Sequence, residues 1–317
     1  MVEYRRLREG EREAFLDLME AAFVDEQRAH FARYLDHDPL LGHDETLVAL
    51  DAGRIVAAVQ IFTRTIGLRG EPVLLGGIGS VGTHPEFERR GLSSELLRRA
   101  IDEMGDRGMA LSLLFTGRTS FYQRLGWVQI PHPLLVARRR DHAGDGVGRA
   151  FRSADLPAVQ RVYDGYSGTR DGATLRDEVY WRAQLRFAGQ LDEHFVVLER
   201  AGRIVAYARR IRFHTLARII EHGCERGHEG DLAELLLSLA PADAPIFLPH
   251  CDAVLEAALA ARAASCDRIA FPDQMWRVLD RTRLVALAEV DATIDDASLL
   301  GALVSGQDAV FWPADRF

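Results

Sequence analysis

The hexapeptide AGRIVA occurs twice in this chain, at 52–57 and again at 201–206. The surroundings match as well: TLVALDAGRIVAAVQIF in one place and FVVLERAGRIVAYARRI in the other. Each reads as strand, tight turn, strand, because apolar and β-branched runs flank an Ala-Gly pair. A common turn sequence used twice is the alternative; six identities in equivalent contexts favour an internal duplication. The fold is therefore expected to hold two related units. Length agrees, since 317 residues exceed the roughly 250–300 at which single cores stop growing.

The first unit can be followed element by element. Glu3–Arg8 reads as a short strand, and Phe15, Leu16, Leu18, Met19, Ala22 and Phe23 recur at helical spacing. A polar segment, 25–45, follows as a short helix and loop. TLVAL (46–50), RIVAAVQIF (54–62) and PVLLGGIGSVG (72–82) form an antiparallel meander. Leu92, Leu96, Leu97, Ile101 and Met104 mark a helix over 92–104. MALSLLF (109–115) is a buried strand, 118–125 a short helix and 127–137 a last strand. DHAGDGVGR (141–149) has linker composition. Beyond it, helices are expected at 154–163, 176–188, 231–239 and 252–265, and strands at 217–222, 246–250 and 275–280. The expected division is 1–140, a linker at 141–149, a second unit at 150–280 and an extension at 281–317.

Charge and cysteine content narrow the functions available. Net charge is −8, which disfavours a nucleic-acid backbone as partner and suits a cationic amine. All 39 basic residues are arginine, so no lysine is present to form a Schiff base or to accept an acyl group. Cys224, Cys251 and Cys266 are odd in number and fit free thiols in a reducing compartment. Together with His214, His222, His228 and His250 they match no standard zinc spacing, so no metal is expected. No apolar run reaches the length of a membrane span, and MVEYRRLREGEREAF lacks the apolar region of a signal peptide. A cytoplasmic protein with no membrane partner is expected; self-association into a homo-oligomer stays open.

The stretch that carries chemistry is SVGTHPEFERRGLSSELLRRAI, residues 80–101. It sets an apolar strand, a short arginine-rich loop with one glycine, and a strong helix in succession. Amides of the loop and of the helix's first turn would face one concavity, where phosphate oxygens can bind. Gly91 allows close approach, Arg89 and Arg90 add charge, and Ser93 and Ser94 offer hydroxyls. Taken alone, this reads as an anion site at a helix N-terminus.

The stretch also resembles the pyrophosphate loop of the GNAT acetyltransferases, V-x-V-x-P-x-x-R/Q-R/x-x-G-x-G/A, which follows that family's fourth strand. Val81, Thr83, Pro85, Glu88 and Gly91 hold the corresponding places, with Glu88 in place of Arg/Gln and Ser93 closing the motif. SFYQRLGW (120–127) is similar to the family's F-Y-x-x-x-G-F/W motif, with Tyr122 where the family often carries its general acid. The resemblance implies an α/β (α+β) fold of tandem GNAT-like domains, each a mixed, mainly antiparallel twisted sheet flanked by helices. It implies an N-acetyltransferase with acetyl-CoA as co-substrate and an amine acceptor, and no metal. Acetyl-CoA would dock on Val81, Gly82, Thr83, Glu88, Arg89, Arg90, Gly91, Leu92, Ser93 and Ser94. A non-catalytic acyl-CoA sensor is the alternative, favoured by an acid at position 88.

A tandem pair is further similar to the enhanced intracellular survival group of acetyltransferases. In that group the first copy is active, the second degenerate, and the terminal carboxylate enters the first site as a base. The resemblance implies that role for Phe317, at the end of the aromatic tail AVFWPADRF, and places Phe23 and Asp25 in the acceptor pocket. Asp36, Asp38 and Asp44 are further acids that would attract a cationic amine. In the second copy the corresponding loop, EHGCERGHEGD (221–231), has lost the Pro-x-x-x-Arg-Arg-Gly pattern and carries Glu221, Glu225, Glu229 and Asp231. That copy is expected to be structural.

Overall fold

In both halves the AGRIVA repeat forms the tip of a β-hairpin. Ala52 and Gly53, and likewise Ala201 and Gly202, all have positive φ, at 49°, 81°, 50° and 75°. Two successive left-handed residues are the requirement of the two-residue turn whose twist matches its strands. The repeated hexapeptide is thus a turn signal plus the first buried residues of the strand that leaves it. A computed structural model of the chain describes residues 1–24, 26–140, 147–188, 193–213, 216–249, 252–306 and 308–317.

The first half runs β1 (Glu3–Arg6), α1 (Arg12–Ala22), α2 (Arg28–His37), β2 (Thr46–Asp51), β3 (Arg54–Leu68), β4 (Glu71–Thr83) and α3 (Leu92–Asp106). It continues with β5 (Leu111–Phe115), α4 (Thr119–Gln123), β6 (Val128–Gln129) and β7 (His132–Arg138). The second half runs β8 (Arg149–Ala150), α5 (Leu156–Tyr166), α6 (Glu178–Ala188), β9 (Glu193–Arg200), β10 (Arg203–Phe213) and β11 (Leu216–Cys224). It goes on through α7 (Glu229–Ser238), β12 (Ile246–Pro249), α8 (Ala253–Arg262), β13 (Ser265–Phe271) and β14 (Gln274–Val278). Two more helices, α9 (Arg281–Ala288) and α10 (Asp296–Val304), precede the tail. Among the described residues no helix is long and apolar enough to cross a membrane.

The strands form two seven-stranded sheets, ordered β1-β2-β3-β4-β5-β14-β6 and β13-β7-β12-β11-β10-β9-β8. Each is antiparallel except for one parallel pair, β4–β5 in the first and β11–β12 in the second. Helix α3 covers the first sheet with Leu92, Leu96, Leu97, Ala100 and Met104, one buried face at helical spacing. Helix α7 does the same for the second with Leu232, Leu235 and Leu236.

The sheets do not follow the linear division at 140. Strand β7 leaves the first half and lies between β12 and β13 in the second sheet. Strand β14 returns from the second half and lies between β5 and β6 in the first. The expected single strand over 127–137 is broken at Pro131, which has no N–H to give a ladder. That break lets the chain cross between sheets. The helix expected over 252–265 ends at Arg262, and β13 follows as an edge strand on β7. The extension after 280 covers the first sheet, with Leu284, Leu299, Leu300 and Leu303 packed beside Leu111, Leu113 and Trp276.

Candidate active site

The site originates where β4 and β5 part. Their parallel register runs from Leu75↔Leu111 to Gly77↔Leu113, while β4 continues to Thr83 and β5 to Phe115. Ser80 has a φ of 49°, and the pairing with β3 shifts between Gly79↔Gln60 and Gly82↔Ala58. Such a bulge bends the strand away from its neighbour. The wedge opens into a cavity of ≈ 870 Å³ bounded by α1, α2, β4, the loop before α3, β5 and α4.

Most of the residues expected to bind an anion line one cavity. Val81, Gly82, Thr83, Glu88, Arg89, Gly91, Leu92, Ser93 and Ser94 all line this cavity. Arg89 and Gly91 both have left-handed φ, 62° and 78°, a backbone of the kind that builds anion-binding concavities. The first amides of α3 have no carbonyl to bond within the helix and face the same way. A 2.5 Å hydrogen bond between the Thr83 and Ser93 hydroxyls ties the strand end to the helix start. Arg90 does not line the cavity; its guanidinium lies 4.7 Å over the ring of Phe87, which does. Arg118 and Arg124, which sequence reasoning passed over, do line it, as does the exposed Glu88. Their only sequence signal is that they flank the aromatic pair of α4.

Tyr122 lies on the same cavity, 9% exposed, with its ring edge-on to Phe121 at 4.9 Å and Trp127 at 6.1 Å. Its backbone carbonyl accepts the amides of Leu125 and Trp127, which locks the turn after α4. Burial pushes its hydroxyl up to about 12, with Arg118 pulling weakly the other way. The phenol therefore keeps its proton across the neutral range.

The tail delivers Phe317 to the same cavity. A Cβ on Gly77 would stand 2.4 Å from the Phe317 ring, so only glycine leaves a seat for it. The ring stacks on Phe62 at 5.3 Å and meets Phe115 at 5.5 Å. Its main-chain carbonyl carbon sits 3.3 Å from where a Cβ on Gly79 would be. Phe23 closes the opposite wall, 5.0 Å from Phe31. Phe31 and Tyr34 share its side of α2 at helical spacing and also line the space.

Asp25 lies outside the described residues. The other acids nominated for the acceptor are engaged elsewhere. Asp36 pairs with Arg12 at 2.7 Å, and Asp38 is buried against Arg64 at 2.5 Å. Asp44 does not line the cavity. The side-chain carboxylates that line it among the described residues are Glu26 and Glu88. Glu26 lies 3.9 Å from His30, whose pKa burial holds below its usual value.

Residues 3–130 match the model of the acetyltransferase (GNAT) domain. An uncharacterized N-acetyltransferase from Streptomyces griseus is 27% identical over 173 residues, which is 49% of this chain and 41% of that relative. The chain thus spans less than half the length of this curated relative. Among solved structures, a GCN5-related N-acetyltransferase from Kribbella flavida aligns with a TM-score of 0.69 at 17% identity, over 90% of this chain and 73% of that one. Eis1 from Mycobacterium abscessus aligns at 0.66 and 17% identity, over 90% and 76%. At such identities the structural likeness speaks for the fold.

Proposed function

The first domain of this chain belongs to the GNAT acetyltransferase family, and on that premise we propose that the protein is a cytoplasmic N-acetyltransferase that uses acetyl-CoA to acetylate a primary amine of a small molecule. One observation carries the reading. The phosphate-binding wall, a protonated Tyr122, Phe23 and Phe317 all face a single cavity at the point where β4 and β5 part. The donor set fits the co-substrate: left-handed loop amides, a helix N-terminus and three lining guanidiniums suit its phosphates.

In the proposed reaction the free amine attacks the thioester carbonyl directly. A new C–N bond forms, and the C–S bond breaks as the tetrahedral intermediate collapses. The main-chain amides of Val81–Thr83 supply donors for the oxyanion. Tyr122 gives its proton to the departing thiolate and recovers one from solvent. The amine's proton passes to the carboxylate borne by Phe317, directly or through a water. Phe23, Phe31 and Tyr34 form the acceptor side, where the apolar body of the amine is held.

The test is acetyl-CoA turnover with ethanolamine, benzylamine, a diamine and a short peptide as acceptors, alongside calorimetric titration of acetyl-CoA. Turnover with any of these, lost in Tyr122→Phe while binding persists, supports the enzyme. Micromolar binding without turnover of any acceptor would favour the sensor, for which the acid at Glu88 is the supporting observation. Absence of binding would sink both.

A further inference from the structure

The duplication gives the second half its own parted strands. Pairing of Ala57 with Thr83 in the first sheet corresponds to pairing of Ala206 with Cys224 in the second, so Val81-Gly82-Thr83 is matched by His222-Gly223-Cys224. There too a parallel pair, Ala217↔Ile246 and Arg218↔Phe247, runs briefly and ends. This second wedge is filled by the chain's own tail. Trp312 is wholly buried, 4.8 Å from the His222 ring, and its indole N–H donates to Ser167 Oγ at 3.0 Å. Just before it, the Val310 amide donates to the Asp171 carbonyl at 2.8 Å.

Beside Trp312 lies a group of fully buried charges that the proposed reaction does not use. Arg176 binds Asp315 through Nε at 3.0 Å and Nη2 at 2.8 Å, and binds Glu221 through Nη2 at 2.5 Å. All three side chains are 0% exposed. Tyr180 donates to Asp315 at 3.0 Å and Gln184 at 3.1 Å. Glu221 also accepts from the Tyr207 hydroxyl at 3.0 Å. Charges taken fully out of water are a poor way to gain stability, since apolar side chains of similar volume hold a core as well. What such a group supplies is direction: a bidentate Arg–carboxylate pair admits one geometry. The residue it fixes stands two before Phe317, so the two Cα atoms are no more than about 7 Å apart. Between them, Arg316 pairs with Asp273 and lies 4.1 Å over the Phe115 ring.

We infer that the second domain has become the anchor of the first domain's active site: Arg176, acting through Asp315, is the positioning residue that seats Phe317 against Gly77. This rests on the acetyltransferase reading for its kinetic consequence, but not for its structural one. The degenerate wedge is then a socket for the tail, and the chain binds one acetyl-CoA.

The test uses the full chain and two readouts. Hydrogen exchange followed by mass spectrometry reports protection of the 309–317 peptide. Turnover with the acceptor panel above reports chemistry. Asp315→Asn is expected to lose protection at the tail while strands of the second sheet keep theirs. It should lower kcat about 10- to 100-fold with the KM for acetyl-CoA within about twofold. In a chain truncated by one residue, lacking Phe317, the same change should lower kcat no further, because the group that Asp315 positions is already gone. Asp155→Asn, which breaks an ion pair with Arg149 remote from the tail, should destabilise the domain and leave kcat unchanged. Should Asp315→Asn not fold, Tyr180→Phe removes one bond to the same carboxylate and should show a smaller loss of the same kind. A tail that stays protected, or a further kcat loss from Asp315→Asn in the truncated chain, would overturn the inference. Absence of turnover in the wild type would instead defeat the enzyme reading, with the exchange result still deciding the anchor.

Discussion

The two halves of this chain fold one parallel strand pair each into a wedge, and the two wedges have opposite fates. In the first, Gly82 and Thr83 border an open cavity of ≈ 870 Å³, with the loop to α3 presenting amides and Arg89. In the second, Gly223 packs against Tyr166 and Tyr207, and the His222 ring meets the buried Trp312. The loops differ in charge for a related reason. Glu225 binds Arg203 and Arg161, and Asp231 binds Arg200 and His228, so the second loop spends its acids on ion pairs with its own domain. Duplication supplied two clefts; one kept its donors free for a ligand and the other turned them inward. A cleft that binds must leave polar groups unsatisfied, and a cleft that stabilises must satisfy them.

The comparison can be broken most sharply at Tyr122. Replacing it with phenylalanine is expected to reduce kcat by about 10²–10⁴-fold, with acetyl-CoA binding retained. A loss below tenfold would mean that the first cleft does not use this phenol as its acid. The counterpart in the second cleft is Trp312. Trp312→Ala should cost about 3–5 kcal/mol in denaturant unfolding, as expected for emptying a packed aromatic site. If the variant instead gained a second acetyl-CoA per chain by calorimetry, the filled cleft would be a masked site rather than a socket.

The next effect lies where the halves exchange strands. Burial pushes His132 down to about 4 from 6.5, against the pull of Asp273. A histidine with a depressed folded pKa is protonated more readily when unfolded, so stability falls as pH drops below about 6.5 and the loss is complete below about 4. Unfolding free energy should decline by about 2 kcal/mol between neutral pH and about pH 5, and His132→Asn should flatten that decline. A slope unchanged in the variant would place the acid sensitivity elsewhere. The smallest expected effect is at Glu88. Glu88→Gln should tighten acetyl-CoA binding about two- to fivefold, the scale of one charge at an exposed helix N-terminus. No change would mean that Arg89, Arg118 and Arg124 already outweigh it.

Much of this was legible in the sequence because it is local. The hairpin tips, the α3 face and the loop of 80–94 are set by residues within a few positions of one another. The second half's element order was readable through the repeat, down to the helix over 176–188 that appears as Glu178–Ala188. Which of two adjacent arginines lines the cavity could not be read from the sequence, because both carry the same charge and the loop's backbone path separates them. Arg118 and Arg124 were missed because an arginine beside an aromatic pair is usually a solvated neighbour. Strand β13 escaped because SCDRIAF is mostly exposed and lacks a buried alternation.

By itself the sequence determined the duplication and the strand and helix repertoire, since turn conformation and periodicity depend on near neighbours. Only the tertiary structure decided the exchange of β7 and β14 between sheets, the withdrawal of Asp38 into a pair with Arg64, and the path of the tail from Trp312 to Phe317. Those depend on partners far apart in the chain, such as Arg176 with Asp315 and Gly77 with Phe317. Their meeting is set by which surfaces remain uncovered once each sheet has formed.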